Sequence, residues 1–241
     1  MPTFSAPLPP LILRLAYACY AWPVFLLLAA ASLPALLAVP GLARRRRLIR
    51  GVAATALWCI GMRVRAAGID GLPHPCVVVA NHESYLDGVV LAATLPADFG
   101  FVIKREMRAV PAAGWLLARI GAHFVDRNGA RHGARDARRV LRQAEKGEAL
   151  VFFPEGTFHR RPGLLPFRNG AFAAAQRGAL PLVPLVIRGT RRCLPPGTLT
   201  PWPGGIDVTV LPALRATLSG ALGVAELRDR ARALFVEQLG T

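Results

Sequence analysis

The sequence predicts an α/β fold: a mixed, largely parallel central sheet flanked by helices, preceded by an N-terminal apolar helical membrane anchor. Three observations carry this expectation. Strand-like apolar runs alternate with amphipathic helical stretches through most of the chain, the pattern of an α/β domain. The run Leu150–Phe153 has no polar alternation, as in a strand covered on both faces. Finally, the 28 positions from Leu15 to Leu42 contain no charged residue, whereas about 20 apolar residues cross a bilayer core.

Taken in order, residues 1–62 form a membrane-associated helical segment and 63–241 a catalytic-size domain. Pro23, Pro34 and Pro40 interrupt the apolar run, so a kinked span or a pair of shorter helices dipping into one leaflet is expected in place of one straight helix. Arg44–Arg47 and Arg50 follow. A basic cluster beside an apolar run marks the cytoplasmic side and attracts anionic headgroups. Leu48–Met62 reads as a second helix. A cleaved signal peptide and a helix hairpin buried in a soluble fold are the competing readings of this segment; the former lacks an early positive region.

Beyond Val64, Gly68–Pro75 is rich in turn formers. Val77–Ala80 reads as a buried strand, followed by a helix from about Ser84 to Leu95, a strand at Phe99–Ile103 and a helical segment at Met107–Ile120 containing Pro111 and Gly114. Phe124–Val125 is a short strand. Ala134–Lys146 is an amphipathic helix: Ala137, Val140, Leu141 and Ala144 form its apolar stripe, arginines cover the other side, and Gly147 ends it. Ala171–Arg177 is a short helix, Leu182–Ile187 and Val208–Leu211 are strands, and Ala225–Leu239 is a closing helix.

The bulk composition limits the partners. With 30 Lys+Arg against 14 Asp+Glu the net charge is +16, which favours phospholipid surfaces, phosphate-bearing substrates or nucleic acid. No helix-turn-helix, zinc pattern or aromatic-basic RNA motif accompanies the charge. The four cysteines make no CxxC pattern, so buried thiols in a reducing compartment are expected. The scattered histidines have no metal-ligand spacing.

The chemistry centres on Val77-Val78-Val79-Ala80-Asn81-His82-Glu83-Ser84-Tyr85-Leu86-Asp87. A strand delivers a histidine to a loop, and a carboxylate follows five positions later, an HX4D motif. Such a pair can act as a general base with an orienting partner. A structural role competes for the same residues: Ser84-x-x-Asp87 has the form of a capping box, with Asp in place of Glu. One carboxylate can serve both purposes.

Three further stretches follow: Gly121-Ala122-His123-Phe124-Val125-Asp126-Arg127, Phe152-Phe153-Pro154-Glu155-Gly156-Thr157, and Leu182-Val183-Pro184-Leu185-Val186. Together with Asn81-His82-x-x-x-x-Asp87, in this order and at these separations, they resemble the four sequence blocks of the glycerolipid acyltransferase family, whose type members are bacterial 1-acylglycerol-3-phosphate acyltransferases. The resemblance runs from about Cys76 to Ile187. It implies that His82 deprotonates an acceptor hydroxyl, that Asp87 orients the imidazole, and that the hydroxyl attacks an acyl thioester with no enzyme nucleophile. It further implies that Arg127 binds the acceptor phosphate, that Glu155, Gly156 and Thr157 form an acceptor-binding turn, with Glu155 taking a glycerol hydroxyl, and that Arg168 is a second anion contact. Where the family usually has arginine after Glu-Gly-Thr, this chain has Phe158, with Arg160 a shifted source of positive charge.

The resulting expectation is an O-acyltransferase of phospholipid biosynthesis, at the cytoplasmic face of a bacterial inner membrane. It would act on lysophosphatidate or a related lysophospholipid with acyl-CoA or acyl-carrier protein as donor, and with no cofactor. The alternatives are a different lysolipid acceptor on the same fold, or a non-catalytic basic lipid- or nucleic-acid-binding protein.

Overall fold

A computed structural model describes residues 9–126, 130–215 and 223–240. Helices α1 (Leu11–Ala38) and α2 (Leu42–Cys59) precede strand β1 (Met62–Ala67). Then come β2 (Val77–Ala80), α3 (Leu86–Thr94), β3 (Gly100–Lys104), a 3-10 turn at Arg105–Ala109, α4 (Ala113–Arg119) and β4 (His123–Val125). The remainder comprises α5 (Ala130–Glu145), β5 (Leu150–Phe152), α6 (Gly170–Arg177), β6 (Pro181–Arg188), α7 (Thr190–Cys193), β7 (Gly204–Val210), β8 (Leu214–Arg215) and α8 (Val224–Leu239).

The strands form one sheet in the order β1-β7-β6-β2-β5-β3-β4, with β8 pairing β6. From β4 across to β6 every pairing is parallel; β7 and β8 run antiparallel to β6, and β1 is parallel to β7. This is the mixed, largely parallel sheet expected. Strand β2 sits in the middle and is buried on both faces: Val78 and Ala80 join one apolar cluster with Ala21, Leu57, Val90 and Leu91, and Val77 and Val79 join the other with Val140, Phe172 and Phe235. Helices α1–α3 therefore cover one face and α5, α6 and α8 the other, which explains the missing polar alternation.

Several local expectations give way. Of the two arrangements expected for the apolar run, the pair of shorter helices is absent: the run is one continuous helix, α1, with Pro23 and Pro34 inside it. Each proline removes one backbone donor, whereas breaking a helix in an apolar setting would strand many more groups. Helix α2 begins at Leu42 and so contains the arginine run. Two of those arginines are tied to the fold: Arg46 donates to the carbonyls of Ile120 (2.9 Å) and Asp98 and pairs with Glu148 at 3.3 Å, and Arg50 reaches the carbonyls of Ala93 and Thr94 at 3.4 Å. The segment at 107–120 divides into the 3-10 turn and α4, because proline restricts its predecessor to extended backbone. Strand β1, starting at Met62, has no counterpart among the expected strands. Met62 and Ile60 enter the same core cluster as the domain's strands, so the helical pair is part of the domain's core.

Pro184 lies in the sheet interior without loss. Its carbonyl accepts from Leu211 N–H at 2.9 Å, in the gap between β7 and β8. The N–H and C=O of one strand residue point to the same side, so the missing donor faces the interruption in the neighbouring strands.

Candidate active site

The site lies beyond the carboxyl ends of β2 and β5, where open α/β sheets leave a crevice. Asn81 fixes its base. The residue is buried, and its side chain donates to Ile187 C=O (2.9 Å) and accepts from Ile187 N–H (2.7 Å), so it behaves as an extra rung between β2 and β6. The chain then leaves the sheet at His82. Ser84 is fully buried; its hydroxyl donates to Leu194 C=O at 2.8 Å and accepts from Leu86 N–H at 3.2 Å.

Asp87, in the first turn of α3, is 0% exposed. Its Oδ2 accepts the amides of Glu83 (2.6 Å) and Ser84 (2.8 Å) and meets His82 Nδ1 at 2.8 Å. The cap and the orienting partner are thus one oxygen atom. A carboxylate already taking two N–H groups assigns the proton to Nδ1 and leaves Nε2 a free lone pair. The imidazole remains 18% exposed. Phe153 stacks on it at 4.2 Å and Phe158 meets it edge-on at 4.5 Å, with Tyr85 against Phe158 at 4.8 Å.

His82 walls a cavity of about 370 Å³ that runs under α1 and α2. Phe25, Ala53, Val89, Phe101, Leu116 and Ile120 make its sides, and Gly156, Thr157 and Phe158 complete the rim beside the imidazole. Lys104 is the ammonium among these walls; no other Lys, Arg, Asp or Glu lines it among the described residues.

The remaining expected residues divide. Glu155 is 4% exposed, and its two oxygens accept the amides of His82 and Leu165, each at 2.8 Å. The structure therefore places it beneath His82 as a strut for the loop. Burial, reinforced by Glu83 and Asp87, pushes its carboxyl up to about 7, against the two amide hydrogen bonds. Gly156 adopts φ 78°, a left-handed turn that suits glycine, and brings Thr157 to the cavity. Arg160 and Arg168 are exposed and do not line the cavity at His82; the Arg160 guanidinium lies over Gly197. Arg127 lies outside the described residues. It follows β4, whose Val125 is in register with Lys104.

Sequence reasoning missed Lys104, Phe153 and Arg191. Arg191 donates to the carbonyls of His159 and Arg160 at 3.0 Å, fixing the segment after Phe158. Its charge and that of Arg188 act against the burial that pushes the Glu83 carboxyl up. No period or motif marks Lys104 or Arg191, and Phe153, although inside the third block, carries no sign that its ring meets His82, because these partners come from distant elements.

Comparison with known proteins agrees with this picture. A Pseudomonas aeruginosa 1-acyl-sn-glycerol-3-phosphate acyltransferase is 28% identical over 207 residues, covering 83% of this chain and 80% of that protein. A lyso-ornithine lipid O-acyltransferase from the same organism is 33% identical over 155 residues, covering 63% and 57% respectively. The chain spans less than half the length of the plant chloroplast and yeast relatives it also matches, 39% and 46%. The crystal structure of a 1-acyl-sn-glycerophosphate acyltransferase from Thermotoga maritima superposes with a TM-score of 0.79 at 22% identity, over 95% of this chain and 97% of that one. The family model described as Acyltransferase matches residues 63–188, from β1 to the end of β6 and including the whole His82 loop. The chain belongs to that family.

Proposed function

We propose that this protein transfers a fatty acyl group from acyl-CoA or acyl-carrier protein to the free hydroxyl of lysophosphatidate or a related lysophospholipid, at the cytoplasmic face of a bacterial inner membrane. The observation that supports this reading is an imidazole that is braced at 2.8 Å by a buried carboxylate and forms the wall of a 370 Å³ apolar cavity. A base alone would serve many reactions; a base at the edge of a space shaped for a hydrocarbon chain selects lipid chemistry.

In the proposed reaction Nε2 of His82 takes the proton of the acceptor hydroxyl as its oxygen attacks the thioester carbonyl. The C–O bond forms, the C–S bond breaks, and the proton passes from the imidazolium to the departing thiolate. Asp87 stabilises the imidazolium and holds its tautomer. A thioester is already activated, so no enzyme nucleophile is required. Developing negative charge on the carbonyl oxygen needs a donor, and the Thr157 hydroxyl at the rim is available. Lys104 beside the rim, with Arg127 after β4, would meet the acceptor phosphate, and Arg160 and Arg168 would attract anions from the surface. Helix α1 supports a membrane site: it is long and apolar enough to cross a bilayer, with mean hydropathy 2.0, and only 17% of that window is buried.

Phe158 favours a second reading of the acceptor. It occupies the position after Glu-Gly-Thr with an apolar ring packed against His82, and a lysolipid whose headgroup carries no phosphate needs no cation there. A relative named for lyso-ornithine lipid fits that alternative. Thiol release from acyl-CoA and from acyl-carrier protein, with lysophosphatidate, other lysolipids and glycerol-3-phosphate as acceptors, tests both readings. His82→Ala is expected to lower release by about 10²–10⁴-fold while folding and liposome association persist; normal turnover by that variant would end the proposal.

A further inference from the structure

Two apolar cavities meet at Phe25, Tyr85 and Val89. The larger is the one His82 lines. The smaller, about 210 Å³, is bounded by Ala21 and Trp22 of α1, by Ile60 and Met62, and by Leu194 and Pro201. Its walls are held apart by directed bonds. The Tyr17 hydroxyl donates to Ile60 C=O, the Trp22 indole to Leu199 C=O at 2.7 Å, and Arg14 to Thr200 C=O at 2.6 Å. These fix the N-terminal half of α1 over the chain at 199–201, beside the cavity. Among the described residues no charged side chain lines it.

Building on the proposed acyl transfer to a lysolipid, we infer that this smaller cavity holds the fatty chain the acceptor already carries. The reaction brings two chains to one imidazole. The transferred chain begins at the reacting carbonyl carbon itself, so it belongs in the cavity that His82 walls. The acceptor's chain begins several bonds from its attacking hydroxyl, across the glycerol backbone, so it must leave to one side of the imidazole. Tyr85, in the turn between His82 and Asp87, forms that side and is a wall of both cavities. With a methylene taken as comparable in bulk to a water, about 30 Å³, the larger cavity holds roughly twelve such groups and the smaller roughly seven. The acceptor's proximal carbons are enclosed, and the rest of its chain runs out along α1, whose exposed Leu11, Ile12 and Leu15 offer an apolar surface.

The test uses the full-length protein in detergent. Ala21→Leu, which narrows the smaller cavity, is expected to raise KM for palmitoyl-lysophosphatidate at least tenfold more than for the acetyl analogue, whose two carbons leave most of that cavity empty, with the donor chain-length profile unmoved. Val52→Phe, in the larger cavity, is expected to shift the donor profile and spare the acceptor's. An Ala21→Leu variant that shifts the donor profile, or penalises long and short acceptors alike, overturns the inference. Photolabelling of the unmodified protein decides it without any variant. Lysophosphatidate with a diazirine in the first half of its chain should mark residues 21–25 and 194–201; marking confined to α2 or α4 overturns the assignment. Labelling needs no turnover, so failure of the acyl-transfer reading, seen as no thiol release with any acceptor, is distinguished from failure of the chain assignment.

Discussion

The His82 loop and the exposed face of helix α1, whose inner face lines the same cavity, are governed by different forces. In the loop, Asn81, Ser84, Asp87 and Glu155 are all buried and tied to backbone groups through hydrogen bonds of 2.6–3.2 Å. Each bond has a fixed direction, and a buried polar group left without its partner costs more than the bond itself contributes. The loop therefore has one low-energy arrangement. Along α1, Leu11, Ile12, Leu26 and Leu27 are exposed, the last at 70%, and apolar contact has no preferred direction. Directional bonds suit a region that holds the His82 imidazole in one orientation, as the proposed base would require. Non-directional contacts suit a surface that meets flexible chains.

The largest effect should come from the site's one shared oxygen. Asp87→Asn replaces a carboxylate that both fixes the imidazole tautomer and caps α3. An expected drop of about 10²–10⁴-fold in thiol release follows from the misoriented or mistautomerised base, with a loss of stability of about 1 kcal/mol as the charge-assisted hydrogen bonds from the Glu83 and Ser84 amides weaken. Steady-state kinetics beside thermal melts separates the two; a variant that loses stability and keeps its rate would make Asp87 a cap alone.

Next in size is Asn81→Ala. It leaves the N–H and C=O of fully buried Ile187 without partners, at about 1–3 kcal/mol for each group. Urea denaturation in detergent should show the midpoint falling accordingly. A neutral result would mean that the rung between β2 and β6 is dispensable and that the loop is held by apolar packing after all.

A smaller effect concerns pH. Burial raises the Glu155 carboxyl from its usual 4.5 to about 7, so between those values the folded chain binds a proton that the unfolded chain has released. Stability from this group therefore falls as pH rises through that window, by at most about 1.4 kcal/mol per pH unit. Glu155→Gln cannot titrate, and its plot of melting temperature against pH should be flatter from 4.5 to 7. An unchanged slope would remove Glu155 as its source.

The smallest stability effect belongs to α1. Ile12→Ser combined with Leu27→Ser alters two side chains that are 74% and 70% exposed. Melting in detergent is expected to shift by no more than about 0.5 kcal/mol per site, while sedimentation with anionic liposomes falls clearly. A large loss of stability with intact liposome binding would invert the contrast between the two regions.

Much of this was legible in the linear chain. The unalternating Val77–Ala80 and Leu150–Phe153 runs mark strands covered on both sides. The apolar stripe of 134–146 with Gly147 marks a helix and its end, and the 28 uncharged positions mark an apolar helix. The pairing of His82 with Asp87 was legible too, because both ends of that contact lie within one turn of chain. What escaped depends on partners far apart in sequence. Arg46 reads as one of a run of charges until Ile120, Asp98 and Glu148 surround it. Glu155 reads as a substrate ligand in the sequence, and the structure adds that its two oxygens accept the His82 and Leu165 amides. Pro184 stands inside an expected strand, and the parting of β7 and β8 beside it supplies the reason it is tolerated. Periodicity and short motifs report interactions that repeat along the backbone or close within a few residues. The sequence by itself therefore determined most of the element types and the His82–Asp87 pair; only the tertiary structure decided which charges are buried, which carboxylate braces the His82 loop, and where two apolar cavities lie.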